Sequence, residues 1–155
     1  MELNEVQTAL VSAVEEILET MCFSAVLASA EGTSPPEGDG SEPALTAELH
    51  FLGNLSGGFR VGMPMKLARM LGAGFLGREE VGVSDSQAEE VVCELANMIC
   101  GSVLSRLESQ GTFQITHPEL TPPEQGVSFE GDCANHWFDL GDGMLVVSLE
   151  FQPTV

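Results

Sequence analysis

Basic residues are scarce in this chain: five Lys and Arg stand against 24 Asp and Glu, leaving a formal net charge of −19 over 155 residues. So one-sided a charge repels phosphate backbones and anionic bilayers, which excludes nucleic acid and membrane surfaces as partners. Long apolar runs are missing too: no stretch approaches the roughly 20 residues that cross a bilayer. The start MELNEVQT lacks the basic segment of a secretory signal. A soluble, cytoplasmic protein is expected. Cys22, Cys93, Cys100 and Cys133 include no C-x-x-C pair and no Cys/His zinc spacing, so four reduced thiols packed as small hydrophobes are expected. His50, His117 and His136 show no ligand spacing either, and no metal site is expected. The glycine-rich GAGFLG at 72–77 follows no strand directly and precedes no Lys-Ser/Thr pair, so it reads as a turn and not as a phosphate loop.

The chain is 43% hydrophobic, enough for one core but not for two; residues 1–155 are read as a single domain. The five basic residues, Arg60, Lys66, Arg69, Arg78 and Arg106, all lie between positions 60 and 106, so both ends are wholly acidic. Two explanations stay open, a merely solvated surface and a surface that steers a basic-rimmed protein partner.

Val6, Leu10, Ala13, Val14, Ile17 and Met21 recur at helical spacing, and Asn4 with Gln7 offers a capping box; the first helix follows. CFSAVLASA reads as a strand. The segment 31–43 is too rich in Pro, Gly, Ser and acidic residues to pack and reads as a flexible surface loop. Leu45, Ala47, Leu49 and Phe51 alternate with Thr46, Glu48 and His50 in a half-buried strand, and GNLSGG turns it into a second strand, FRVGM. Pro64 opens a short helix, PMKLARML. A long helix follows, with Ser86 and Glu89 as a capping box and an end near Ser109, before Gly111. FQIT, GVSFE at 126–130, HWFDL and MLVVSLEF read as strands, the last two forming a hairpin, with PELTPPEQ as a loop. Trp137 is expected in the core or at a contact with a second chain. The sum is an α+β, two-layer fold: a mostly antiparallel sheet with helices packed on one face.

ELANMICG (94–101) interrupts the long helix with a charge, an amide and a glycine, the glycine costing about 1 kcal/mol relative to alanine. At about 100° per residue, Ala88, Leu95, Ile99 and Val103 gather within about 60° of Val92 as the buried stripe, while Glu90, Glu94, Asn97 and Gly101 fall on the opposite side. Met98 and Leu104, at about 120° to either side of Val92, are expected to add exposed apolar edges to the outer strip. Glu94 and Asn97 are neighbours at i and i+3. Gly101, a turn further on, leaves room for a partner's backbone.

Read as E-x-x-N-x-x-x-G in a long helix, this segment resembles the signature of the CheC/CheX/FliY group of response-regulator phosphatases, the single copy being most similar to the CheX branch. AVEEILETM in the first helix and FRVGM running into PMKLARMLG agree in order. The resemblance implies a CheC/CheX-like fold and dephosphorylation of a phosphorylated CheY-like receiver domain. Asn97 then orients the attacking water, Glu94 pairs with the receiver's lysine, and Glu90, Met98, Gly101 and Leu104 meet the partner. Mg²⁺ is expected on the receiver, with no cofactor of the chain's own, and a homodimer joined through sheet edges is implied. Two departures stand out. Glu90 occupies a position usually Asp or Ser, and Pro118 and Pro122 flank the place of a characteristic proline in the loop beyond the helix. Phosphoryl transfer needs mainly positioning and charge, so the absence of a Ser/His/Asp or Cys/His arrangement does not count against catalysis. The alternative is a non-catalytic module that docks or sequesters a signalling partner on the same helix face.

Overall fold

Leu10, Ala13, Val14 and Leu18 are fully buried along one side of helix α1 (Leu3–Cys22), each Leu or Val contributing about 1.5–3 kcal/mol by burial. The computed structural model describes residues 3–32, 45–108, 111–122, 125–129 and 133–152. After α1 come β1 (Ala28–Glu31), β2 (Leu45–Leu52), β3 (Gly57–Met63), α2 (Met65–Leu76), a short 3-10 turn (Glu80–Gly82), α3 (Asp85–Leu107), β4 (Gln114–Ile115), β5 (Glu119–Leu120), β6 (Ala134–Asp139) and β7 (Met144–Phe151). The strands form one antiparallel sheet in the order β1-β6-β7-β3-β2-β4, with β5 also on β2. No helix of the described residues is long and apolar enough to cross a membrane.

Alternation sorts the sheet's two faces. Leu45, Ala47, Leu49 and Phe51 on β2 pair in register with Met63, Val61, Phe59 and Gly57 on β3. With Val147, Leu149, Ala134 and Phe138 they join the helices in one core running from Val6 to Leu149. The architecture is therefore the α+β two-layer arrangement, with three helices against an open antiparallel sheet. On the opposite face, Asn135, Ser148, Arg60, Glu48 and Glu119 stand side by side across five strands. Arg60 is buried there, donating from Nε to Glu48 at 2.5 Å and from Nη1 to the carbonyls of Val127 and Ser128. The Phe129 ring lies 4.0 Å from the guanidinium carbon, so the segment 127–129 is tied across this face.

Several local expectations need correction. Helix α2 continues through GAGFL instead of turning there, and Gly77, at φ 68, caps it in the left-handed region. Its glycines serve packing: a Cβ on Gly74 would lie 2.1 Å from the Cys22 carbonyl oxygen at the end of α1. The capping box of α3 is Ser84 with Gln87, two residues before the expected pair, each side chain bonding the other's backbone N–H, and the helix ends at Leu107. Asn4 lies inside α1, and Gln7 Oε1 meets His136 Nδ1 at 2.5 Å instead of capping. Met21 is exposed. Only Ala28–Ala30 of CFSAVLASA is strand, and β1 takes in Glu31 from the segment expected as a loop; the 31–43 segment lies, beyond Gly32, outside the described residues. Gly126–Phe129 is irregular, and Glu130 is likewise outside them. PELTPPEQ holds β5: β4 and β5 share β2 with a register that slips by one residue across His117-Pro118, a bulge where proline has no N–H to donate. Trp137 is buried with Val127 and Val146, its indole N–H donating to the Gly32 carbonyl at 3.0 Å.

His136 is buried beneath α1, with Nε2 lacking a hydrogen-bond partner among the described residues. Burial lowers its pKa from the ordinary 6.5, and the charge of Glu31, its cross-strand neighbour, pulls the other way. The folded chain thus resists a proton that the unfolded chain accepts. The histidine's stabilising contribution is fully present above the unfolded pKa and is lost as pH falls through about 6.5 toward the lower folded value. Urea titrations between about pH 7.5 and about pH 5 should show wild type losing more stability on acidification than His136→Gln. Parallel curves would remove His136 as the cause.

Candidate functional site on the outer face of α3

Helix α3 lies in a trough, contacting α1 on one side, α2 on the other, and β2 and β3 beneath. Its buried arc is wider than a single stripe, taking in Val91, Ala96, Cys100 and Leu104 besides Ala88, Val92, Leu95, Ile99 and Val103. Leu104 is only 2% exposed. The expectation that it edges the outer strip is therefore corrected: packing on both flanks covers residues about 120° from the stripe's centre. Met98, on the other flank, is partly buried against the core. What stays outside is narrow. Glu90, Glu94 and Asn97 are exposed and Gly101 partly so, and the row continues one turn each way through the exposed Ser86 and Ser105. Ser86 was expected as a cap and Ser105 not singled out, although their spacing from Glu90 and Gly101 is a plain i, i+4 repeat that extends the row.

Side-chain bonds on α3 are made elsewhere on the helix. Asp85 pairs with Arg69 of α2, Arg106 pairs with Glu16 of α1 and also donates from Nε to Ser102, and Ser84 and Gln87 close the cap. Among the described residues Glu90, Glu94 and Asn97 have no such partner, so a carboxylate and a carboxamide one turn apart stand ready for an external ligand. Gly101 completes the opening: a Cβ built there meets nothing within 4 Å. The contrast with Gly74 is informative, because there the missing Cβ answers a neighbouring backbone of the same chain.

The strip's field registers on its neighbour. The Cys93 thiol is raised by burial and then by Glu94, Glu89 and Glu90, so negative charge on this face disfavours more of it. With Arg69 and Arg106 already paired, the surface suits a ligand that brings positive charge. The structure therefore places the sequence-derived candidates Glu90, Glu94, Asn97 and Gly101 in one open row, keeps Met98 at its base and removes Leu104 to the core.

Fold and site together define the class: an α+β scaffold that displays an amide and a carboxylate on a central helix. Residues 45–139 match the family described as "Chemotaxis phosphatase CheX", and the chain belongs to that family. No curated protein matches it in sequence. Among solved structures, a chain of the CheX-CheY-BeF3-Mg+2 complex from Borrelia burgdorferi is similar with TM-score 0.72 and 17% identity, over 95% of this chain and 97% of that one. Chemotaxis protein CheX from Vibrio vulnificus is similar with TM-score 0.73 and 18% identity, over 98% and 99%. FliY from Thermotoga maritima is similar with TM-score 0.58 and 15% identity, over 97% and 91%. At these identities the structural likeness establishes the fold, and the family match carries the general role of a chemotaxis phosphatase.

Proposed function

We propose that the outer strip of α3 accelerates hydrolysis of the aspartyl phosphate on a CheY-like receiver domain. In this reading Asn97 enters the receiver's active site and its carboxamide holds a water in line with the phosphorus. An amide cannot serve as a base near neutral pH, so orientation is its task. Glu94 pairs with the receiver's lysine and fixes register. The receiver contributes the Mg²⁺ and the lysine that spread charge over the transferring phosphoryl group. Water adds to phosphorus, the bond to the aspartyl oxygen breaks, and carboxylate and inorganic phosphate result. The observation that carries the reading is the open gap at Gly101 beside Glu94 and Asn97, which have no side-chain partner among the described residues. The family membership and the existence of a CheX-CheY complex in Borrelia burgdorferi support it.

Phosphate release from phosphorylated CheY-like receivers tests it: the native protein should speed release in the presence of Mg²⁺. Binding without acceleration by any such receiver would leave only the docking or sequestering module. The acidic strip adds an expectation about partner chemistry. A receiver with a basic rim is favoured, so kcat/KM should fall severalfold when salt rises from about 0.05 M to about 0.5 M. A flat salt profile would remove the electrostatic part.

Gly101 separates stability from function. Gly101→Ala fills open space and gains helix propensity, so the fold should become more stable by about 1 kcal/mol in urea denaturation. Gly101→Leu should likewise fold but weaken receiver binding by about tenfold or more, because its side chain stands where the partner's backbone must approach. Unchanged affinity for Gly101→Leu would place the contact elsewhere.

A further inference from the structure

The four thiols occupy different settings. Burial pushes Cys22 and Cys100 up to about 12, and burial with Glu94, Glu89 and Glu90 raises Cys93; none of the three readily offers a thiolate near neutral pH. Cys133, partly exposed just before β6, is surrounded differently. Asn135 Nδ2 donates to its Sγ at 3.2 Å, Ser128 Oγ lies 3.8 Å away, and the Phe129 carbonyl accepts from the thiol at 3.4 Å. Asn135 is only 6% exposed, and its Oδ1 is buried without a hydrogen-bond partner among the described residues. One carboxamide thus aims a donor at the sulfur and holds an unused acceptor beside it. An orphaned buried acceptor is destabilising, and a hydroxyl attached to Sγ is the kind of group that relieves it.

We propose that Cys133 is a peroxide-sensitive modification site whose sulfenic acid is held by Asn135. The sulfur attacks one oxygen of hydrogen peroxide; an S–O bond forms as the O–O bond breaks, and the departing hydroxide takes up the thiol proton and leaves as water. Sulfur loses two electrons and peroxide gains them. The Asn135 N–H stabilises negative charge on sulfur during attack, and the new S–O–H donates to Asn135 Oδ1. Cys22, Cys93 and Cys100 belong to helices on the other layer, so the product rests at sulfenic acid instead of closing a disulfide. Oxidation also removes the proton that the Phe129 carbonyl accepted, loosening one tie of the segment 127–129 on the face away from α3.

The test exposes the intact protein to hydrogen peroxide, traps sulfenic acid with dimedone and reads each cysteine by peptide mass spectrometry. Cys133 should carry at least about tenfold more adduct than any other thiol. Asn135→Leu, close in shape but without polar atoms, should cut the adduct at Cys133 severalfold. Asn135→Asp, which keeps an acceptor but loses the donor and adds negative charge, should slow oxidation. Near-ultraviolet circular dichroism confirms that each variant is folded, and the distribution in the native chain stands if one is not. Adduct spread evenly over the four thiols or centred on Cys93 overturns the proposal, as do folded Asn135 variants that oxidise like the native protein.

Discussion

Asn97→Ala is expected to lower the rate of receiver dephosphorylation by about 100-fold or more while leaving the fold intact. The two effects have separate causes. Asn97 is exposed and has no intramolecular side-chain partner among the described residues, and alanine is the better helix former, so stability should hold or rise by about 0.5 kcal/mol. Catalysis by positioning is unforgiving, since displacing an in-line water by about 1 Å costs on the order of 100-fold. Loss of the amide should therefore appear in kcat, with receiver affinity largely kept because Glu94 and the gap at Gly101 remain. Glu94→Gln should show the complementary pattern, chiefly a raised KM. An Asn97→Ala protein that hydrolyses phosphate at the native rate would refute the proposed role.

The second large effect lies on the far face of the sheet. Glu48→Leu should destabilise the domain by about 3 kcal/mol in urea denaturation, because it leaves the buried Arg60 guanidinium without its counter-charge. That is a large share of the roughly 5–15 kcal/mol holding a typical domain together. Glu119, directly opposite Glu48 in register, can partly take over the pairing, which places the expectation at the lower end for a broken buried pair. Replacing both partners, Glu48→Leu with Arg60→Met, should recover much of the loss, since the penalty belongs to the stranded charge and not to the missing bond. At temperatures where Glu48→Leu remains folded, phosphatase turnover should be unchanged, as α3 lies on the other layer. A loss below about 1 kcal/mol would show that water or another acceptor already solvates Arg60.

Where local periodicity is strong, the sequence was readable. The apolar stripe of α1, the alternation of β2, the β6–β7 hairpin and the outer row Glu90–Glu94–Asn97–Gly101 all follow from spacing of 3.6 or 2 residues, a property each segment carries by itself. Failures occurred where a distant segment decided. Gly74 read as part of a turn because its reason, the end of α1 against α2, lies about fifty residues away, and Gly72 because Val83 and Val91 pack against it from the turn and helix that follow. Leu104 read as exposed because a helical wheel assumes one covered side, and α3 is covered on three. The bulge at His117-Pro118 concealed β5, and the segment 127–129 is ordered by Arg60 from another strand instead of by any alternation of its own.

By itself the sequence determined the strongly acidic charge, the α+β class, and the order of Glu90, Glu94, Asn97 and Gly101 along the outer face of α3. Only tertiary structure decided that this face is open, that Gly101 answers no neighbour among the described residues, and that Arg60 and Asn135 sit buried in a polar row across the sheet. The physical reason is range: helical and strand patterns are local and written in consecutive residues, whereas burial depends on which remote surfaces meet, and no spacing rule records that.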